Sequence, residues 1–235
     1  MNKMLSVKVL ASGSKGNCYL LTYNEQTLIL DCGIGIKEIK KGLNFNLSNV
    51  VGVLVSHEHL DHSKSVADLR NMGITVFAPY ELGNVKKVYM RVGHFEITTF
   101  DLPHDETWNN GFLIKAGNQK ILYMTDFEYC EYVFSKYKVN HVLIECNYQS
   151  KYVERELINY EHKIRGHCEL NTCKEFIAVN ETNELRTVLL LHMGIETCDF
   201  EECVEEIKKV TQNDVCVDYA RKGLEMELRE SKCPF

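Results

Sequence analysis

The stretch that decides the fold is Ser56-His57-Glu58-His59-Leu60-Asp61-His62, which follows the apolar run VVGVLV (50–55). A continuous β-branched run of this length reads as a strand buried on both faces. The residues after it are polar and lead into a predicted helix over 63–72. Three imidazoles and a carboxylate are therefore gathered within six residues on a loop at a strand end. Alternation lets His57 and His59 face one metal ion. Asp61 and His62, where the chain turns, then face a second. Imidazole with carboxylate suits zinc, and also manganese or iron.

Outward from this loop, the pattern predicts strands at about 5–12, 17–23 and 27–32, with a turn at Asn24-Glu25-Gln26. A short helix is predicted over 36–43 and a strand at TVFAP. Then come strands at 95–104, 111–116 and 120–126, with a turn at Gly117-Asn118. A helix at 127–137, a buried strand at HVLIECN (141–147), a charged helical segment at 148–166 and a helix at 169–179 follow. The chain closes with a strand at RTVLLLH (186–192), a helix capped by Asp199 and a strand at VCVDYA. Strands that alternate with helices in this way predict a mixed sheet with helices on its outer faces.

The composition fits one globular domain spanning 1–235, with 45% hydrophobic and 26% charged residues and only three prolines. A formal charge of −6 excludes a broad basic footprint, so any grip on nucleic acid must be local. None of the ten cysteines forms a CxxC pair. The N-terminal residues have no apolar leader core, and no apolar run approaches a membrane span. These features predict reduced, buried thiols in a cytoplasmic protein without a membrane partner. Oligomeric state, a homodimer included, is left open.

HxHxDH after a buried strand resembles the metallo-β-lactamase fold superfamily. ASGSKGNC (11–18), LILDCG (28–33) and PHD (103–105) resemble its YycJ/WalJ-like exonuclease branch. The resemblance implies an α/β fold, a four-layered αβ/βα sandwich. It also implies the remaining ligands. His104 joins His57, His59 and Asp126 at one metal. His192 joins Asp61, His62 and Asp126 at the other, so Asp126 bridges them. Asp31 supports the site from behind. Two divalent ions are implied, zinc first and manganese as the alternative.

Glu145, at the end of a buried strand, and His167, before a helix, resemble the pair in tRNase Z-like phosphodiesterases. There the glutamate orients a histidine that protonates the departing oxygen. The residues after His167, Cys-Glu-Leu, depart from that pattern. Two ions about 3.5–4 Å apart hold a hydroxide and clamp a phosphoryl oxygen. A poor alkoxide leaving group makes an aligned acid worth about 10²–10⁴-fold. Asp61, Glu145 and His167 are thus the candidate catalytic residues. The expected reaction is hydrolysis of phosphodiesters in nucleic acid, in an exonuclease-like manner. The alternatives are a cyclic or other small nucleotide and, against the Glu145/His167 pair, a thioester, lactone or β-lactam. A binding module with a relic site is the non-enzymatic alternative.

Candidate substrate contacts are Lys163 and Arg165, with Lys151 and Arg155 nearby; a solvated amphipathic helix is the competing reading of this segment. Tyr148, Tyr152 and Tyr160 fit either base stacking or core. Trp108, the only tryptophan, is expected to be buried near His104. His94, His141 and His162 have no motif support, and Asn17 is left without a role.

Overall fold

Asn24 and Glu25 both take left-handed φ, 47° and 67°, the two-residue reversal that matches strand twist in a tight hairpin. That turn joins the first strands of a structure, a computed structural model, that describes residues 4–83, 87–154 and 160–230. The early elements are β1 (Leu5–Ala11), β2 (Cys18–Tyr23), β3 (Gln26–Leu30), α1 (Ile36–Gly42), β4 (Val50–Leu54), α2 (Leu60–Ser63), α3 (Val66–Asn71) and β5 (Val76–Phe77). Next come β6 (Tyr89–Val92), β7 (Phe95–His104), β8 (Thr107–Ala116), β9 (Gln119–Met124), β10 (His141–Glu145), α4 (Tyr160–Gly166) and α5 (Leu170–Asn180). β11 (Thr187–Leu191), α6 (Phe200–Lys208), β12 (Cys216–Tyr219) and β13 (Glu225–Leu228) complete the order.

The strands form two sheets, ordered β13-β1-β2-β3-β4-β5 and β12-β11-β10-β9-β8-β7-β6. Alternation decides how they stack. Leu5, Val7, Val9, Leu21 and Leu28 of the first sheet meet Phe95, Ile97, Phe112, Ile114 and Ile121 of the second in one buried cluster. The opposite face of the first sheet packs Leu20, Ile29 and Val53 against Ile39 of α1 and Leu69 of α3. The opposite face of the second packs Leu122, Ile144 and Leu190 against Phe176 and Ile177 of α5 and Ile207 of α6. The result is helix, sheet, sheet, helix: the four-layered sandwich expected above.

Strand direction positions the site. β3 and β4 are parallel, and so are β9, β10, β11 and β12. Their C-terminal ends open on one edge of the sandwich, where loops carry function in parallel sheets.

Several predicted elements differ. Residues 127–137 are not an α-helix; the segment is irregular except for a 3-10 turn at Ser135–Tyr137. Its aromatic run is poorly suited to helix, and tertiary partners hold it instead. Tyr132 donates to Asp101, and Phe134 N–H donates to Asn180 Oδ1. β6 and β13, both edge strands, lack an apolar alternation strong enough to be read. Within 148–166, a 3-10 turn at Ser150–Tyr152 precedes α4, and 155–159 lie outside the described residues. Asp199 does cap α6, accepting from Glu202 N–H at 3.0 Å. No described helix is long and apolar enough to cross a membrane.

His141, at the start of β10, is fully buried, with Nε2 2.6 Å from Gln119 Oε1 and Nδ1 without a partner. Burial, with Arg186 adding to it, pushes its pKa down from 6.5 to about 3. The unfolded chain therefore binds this proton at a pH where the folded chain does not. The stabilising contribution is complete above about pH 6.5 and is lost as pH falls toward 3, at most about 5 kcal/mol. His141→Gln is expected to flatten this acid limb. The measurement is the difference in Tm between wild type and variant from about pH 7 to pH 4; parallel curves would refute it.

Candidate metal centre

Asp31, the first residue beyond β3, has φ 55° and no solvent exposure. Its Oδ1 accepts from Ser56 N–H at 2.7 Å. Its Oδ2 accepts from Ser56 Oγ at 3.0 Å, from the Tyr123 hydroxyl, and from His62 Nδ1 at 2.8 Å. Asp126 beyond β9 and His192 beyond β11 also have positive φ, 50° and 47°. Left-handed backbone at a non-glycine residue is unfavourable and least so for Asp and Asn. Here it ends each strand abruptly and turns the side chain over the sheet edge.

The 56–62 loop is held just as closely. Asn17 N–H donates to Asp61 O at 2.7 Å, and Cys32 N–H donates to His62 O at 2.8 Å. A Cβ on Gly33 would lie 1.6 Å from the Asp61 carbonyl oxygen, so only glycine permits this approach. Asn17 is buried and its Nδ2 lies 2.9 Å from His62 Nε2. The ASGSKGNC stretch thus braces the histidine loop, a role its sequence did not disclose.

Hydrogen-bond partners assign the ring protons. His57 Nδ1 meets Ser56 Oγ at 3.0 Å, His104 Nδ1 donates to Gly166 O at 2.6 Å, and His59 Nε2 faces Thr107 Oγ1 at 3.3 Å. The remaining nitrogens therefore present lone pairs, and they converge. His57 Nε2 is 3.0 Å from His59 Nδ1, which is 3.2 Å from His104 Nε2. Three nitrogens bound tetrahedrally at about 2.0–2.1 Å from one ion would lie about 3.3 Å apart. Converging lone pairs repel unless a cation lies among them, so this geometry fits a metal.

Asp61, His62, Asp126 and His192 form a second cluster. His62 Nε2 lies 3.4 Å from both Asp61 Oδ2 and Asp126 Oδ1. His192 Nδ1 is 2.8 Å from Asp126 Oδ1, and its buried Nε2 has no hydrogen-bond partner, 3.8 Å from Asp61 Oδ2. Asp126 turns its other oxygen toward the first cluster, 3.9 Å from His57 Nε2. It is the carboxylate between the two.

Charge points the same way. Among the described residues, the ion-pair partners of Asp31, Asp61, Asp126 and Glu145 are all imidazoles. Burial opposes the charged form of His62, yet the Asp126 and Asp31 carboxylates outweigh it and hold its pKa well above the usual range. Burial likewise opposes charging of His192, but Asp126 and Glu145 raise it to about 10. Burial lowers His57 and His104. Buried carboxylates that draw imidazoles toward the cationic state lack positive charge, and divalent ions would supply it. The donor set therefore fits metal.

Glu145 ends β10 with its carboxylate fully engaged. Oε1 accepts from His167 Nδ1 at 2.8 Å and from His192 Nδ1 at 2.9 Å. Oε2 accepts from Phe127 N–H and Cys168 N–H, both at 3.1 Å. Glu145, His167, Asp126 and His192 also lie close enough to form a metal-sized group. The four N–H donors on Glu145 explain that proximity, and they make it an orienting group rather than a ligand. Among the described residues His167 Nε2 has no hydrogen-bond partner, and the side chain is 13% exposed.

The predicted substrate contacts divide. Lys163 on α4 reaches inward: Nζ donates to Asn147 Oδ1 at 2.7 Å, and burial lowers its pKa. Arg165 turns to solvent and pairs with Glu161 on its own helix. Lys151 pairs with exposed Glu202, and Arg155 lies outside the described residues. Trp108 is 54% exposed rather than buried. The β7–β8 register pairs it with Pro103, one position out of phase with His104 and Thr107. Tyr148 is buried and Tyr152 exposed. Sequence reasoning missed His162. Its ring lies 5.6 Å from that of His167, 6.0 Å from His104 and 6.3 Å from His59. Its Nδ1 is 3.4 Å from Asp105 Oδ2. Nothing in the local spacing marks it, since the helix that delivers it docks by contacts distant in sequence.

Comparison with known proteins agrees with this geometry. The profile of the Metallo-beta-lactamase superfamily matches residues 11–82, which include Asp31 and the histidine loop. The chain is 30% identical over 146 residues to exodeoxyribonuclease YycJ of Bacillus anthracis, covering 53% of this chain and 55% of that protein. It is 25% identical over 148 residues to exodeoxyribonuclease WalJ of Streptococcus pneumoniae, covering 52% and 54%. The chain thus spans about half the length of the relatives it matches. In three dimensions it is similar to the metallo-beta-lactamase fold protein YhfI of Bacillus subtilis, with TM-score 0.73, 18% identity, and coverage of 95% of this chain and 99% of that one. Fold, profile and sequence relatives coincide: residues 11–82 match the metallo-β-lactamase superfamily, and the chain is similar over about half its length to the YycJ and WalJ exodeoxyribonucleases.

Proposed function

We propose that this chain is a metal-dependent phosphodiesterase that hydrolyses the backbone of nucleic acid, DNA first, with His167 as general acid. The observation that carries this reading is His167 itself. Its Nδ1 is committed to Glu145, which leaves Nε2 to deliver a proton beside Asp126 and the two clusters. The names of the sequence relatives, both exodeoxyribonucleases, support the substrate class. The net charge of −6 favours a second reading, a small nucleotide that needs few basic contacts.

His57, His59 and His104 would hold one divalent ion, Asp61, His62 and His192 another, with Asp126 shared; the imidazole-rich set favours zinc, with manganese the alternative. Ions so held supply a nucleophilic water at neutral pH and positive charge for the phosphoryl oxygens. The protein's own groups do the rest. Asp31 fixes the His62 tautomer, and Glu145 fixes both His192 and His167. Lys163, from the Asn147 side, offers a cation to the phosphate. His162, backed by Asp105, lines the mouth beside His167.

Protein purified without chelator is expected to carry about two metal equivalents, and Asp126→Ala about one or fewer. Elemental analysis decides this; full metal retention in Asp126→Ala would remove Asp126 from the ligand set.

For His167→Ala, turnover of a natural dinucleotide linkage is expected to fall by about 10²–10⁴-fold. A nitrophenyl diester, whose leaving group needs little protonation, should lose far less. Glu145→Gln should show the same selectivity in milder form. Equal losses on both substrates would make His167 structural.

A polynucleotide substrate predicts affinity that falls with salt, by about −0.7 in log–log slope for each phosphate contacted on a single strand. Two to four contacts are expected, and Lys163→Ala should remove about one. Efficient turnover of a cyclic nucleotide with no oligonucleotide cleavage at low salt would establish the second reading instead.

A further inference from the structure

Behind the Glu145–His167 pair lies a cluster of thiols that the reaction does not use. Cys146 follows Glu145 at the end of β10, and Cys168 follows His167. Both are fully buried, as are Cys173 of α5 and Cys203 of α6. Cys198, in the loop before α6, joins them but remains partly exposed. Its Sγ lies 3.5 Å from the Cys146 carbonyl oxygen. Cys198 packs against the buried cluster that holds Cys146 and Cys203. The backbone fixes this approach. Gly194 N–H donates to Asn147 O at 2.9 Å, Gln149 N–H to Thr197 O at 2.8 Å, and Asp199 N–H to Gln149 Oε1 at 2.6 Å. The 194–199 loop is thereby laced to residues 147–149, with Cys198 against Cys146.

We propose that Cys198 and Cys146 are an oxidisable dithiol, a modification site for a peroxide. The two sulfurs have distinct roles. Cys198 is the accessible one, and it lies at the positive N-terminal end of α6 and near Lys163. Cys146 is fully buried behind it, and the Cys198 thiol donates to the Cys146 carbonyl oxygen. Cys198, the accessible thiol, is thus the attacking sulfur and buried Cys146 the resolving one. The Cys198 sulfur attacks one peroxide oxygen, forming S–O as O–O breaks, and the departing hydroxide takes a proton to become water. Cys146 then attacks the Cys198 sulfur. S–S forms, S–O breaks, and the leaving hydroxide takes the Cys146 proton. Two thiols together lose two electrons, and one peroxide becomes two waters.

The position of the cross-link gives it a consequence. Cys146 lies between Glu145, which orients His167 and His192, and Asn147, which holds Lys163. A bond that pulls on Cys146 moves the supports of the proton donor and of the inward-facing cation together.

The test treats the metal-loaded protein with hydrogen peroxide, then blocks and counts thiols under denaturing conditions and maps linked peptides by mass spectrometry. The expected result is two fewer thiols, a Cys146–Cys198 linked peptide, and full recovery with dithiothreitol. In Cys198→Ser that loss should vanish. In Cys146→Ser the oxidation should stop at a sulfenic acid on Cys198, trapped by dimedone. Cys198 is partly exposed, so Cys198→Ser keeps the test decisive even where the buried Cys146→Ser fails to fold. A Cys198–Cys203 link, or an unchanged loss in Cys198→Ser, would overturn the assignment. A reversible, several-fold loss of diesterase turnover is expected on oxidation. This last readout alone rests on the proposed reaction; the thiol count and the peptide map stand without it.

Discussion

A carboxylate with no solvent exposure, and with no lysine or arginine partner among the described residues, ties this molecule together at its functional edge. Asp31 leaves β3 in the first sheet, accepts from Ser56 on the histidine loop, and accepts from Tyr123 on β9 of the second sheet. It also holds the Nδ1 proton of His62, which aims the other nitrogen at Asp61 and Asp126. A buried anion with four donors is stable only while all four are in place. The sheets, the loop and the tautomer of His62 are therefore parts of one constraint.

Glu145 repeats the device in the second sheet. Its two oxygens take four N–H donors, two from imidazoles and two from backbone. Asp31 serves the histidine-loop side of the centre and Glu145 serves the side of His167 and His192. Asp126 lies between them, where burial would oppose its charge but His192 and His62 hold its pKa well below the ordinary range. Three buried carboxylates whose ion-pair partners among the described residues are all imidazoles explain why the donor set calls for added cations. The left-handed backbone at Asp31, Asp126 and His192 is the local strain that this arrangement requires.

Packing around the centre assigns other residues different tasks. α4 docks through Gly166 O on His104 and through Asp105 N–H on Arg165 O. That docking brings His162 and Lys163 to the cleft and turns Arg165 away. The thiol cluster fills the space behind β10, so the same strand end carries the Glu145 carboxylate on one side and the Cys146 thiol on the other.

Much was legible in the chain itself, for a local reason. Side chains that alternate along a strand or crowd a short loop are neighbours by covalent geometry. VVGVLV followed by SHEHLDH therefore announced a strand, a turn and two groups of donors. A mixed sheet with outer helices followed from buried runs that alternate with amphipathic ones, the four-layered order from the family resemblance, and the cap at Asp199 from helix termini. Other features depended on contacts distant in sequence. Residues 127–137 are held out of a helix by Asp101 and Asn180, partners distant in sequence. Trp108 faces outward because hairpin register, not composition, sets its phase. His162 and Cys198 each gain meaning only from a partner on another element: Asp105 and His167 for one, Cys146 for the other. The sequence by itself determined which residues could bind metal and which segments could form strands. Only the tertiary structure decided which charges meet in the buried interior, because the low dielectric that makes those meetings strong exists only once the sheets have closed over them.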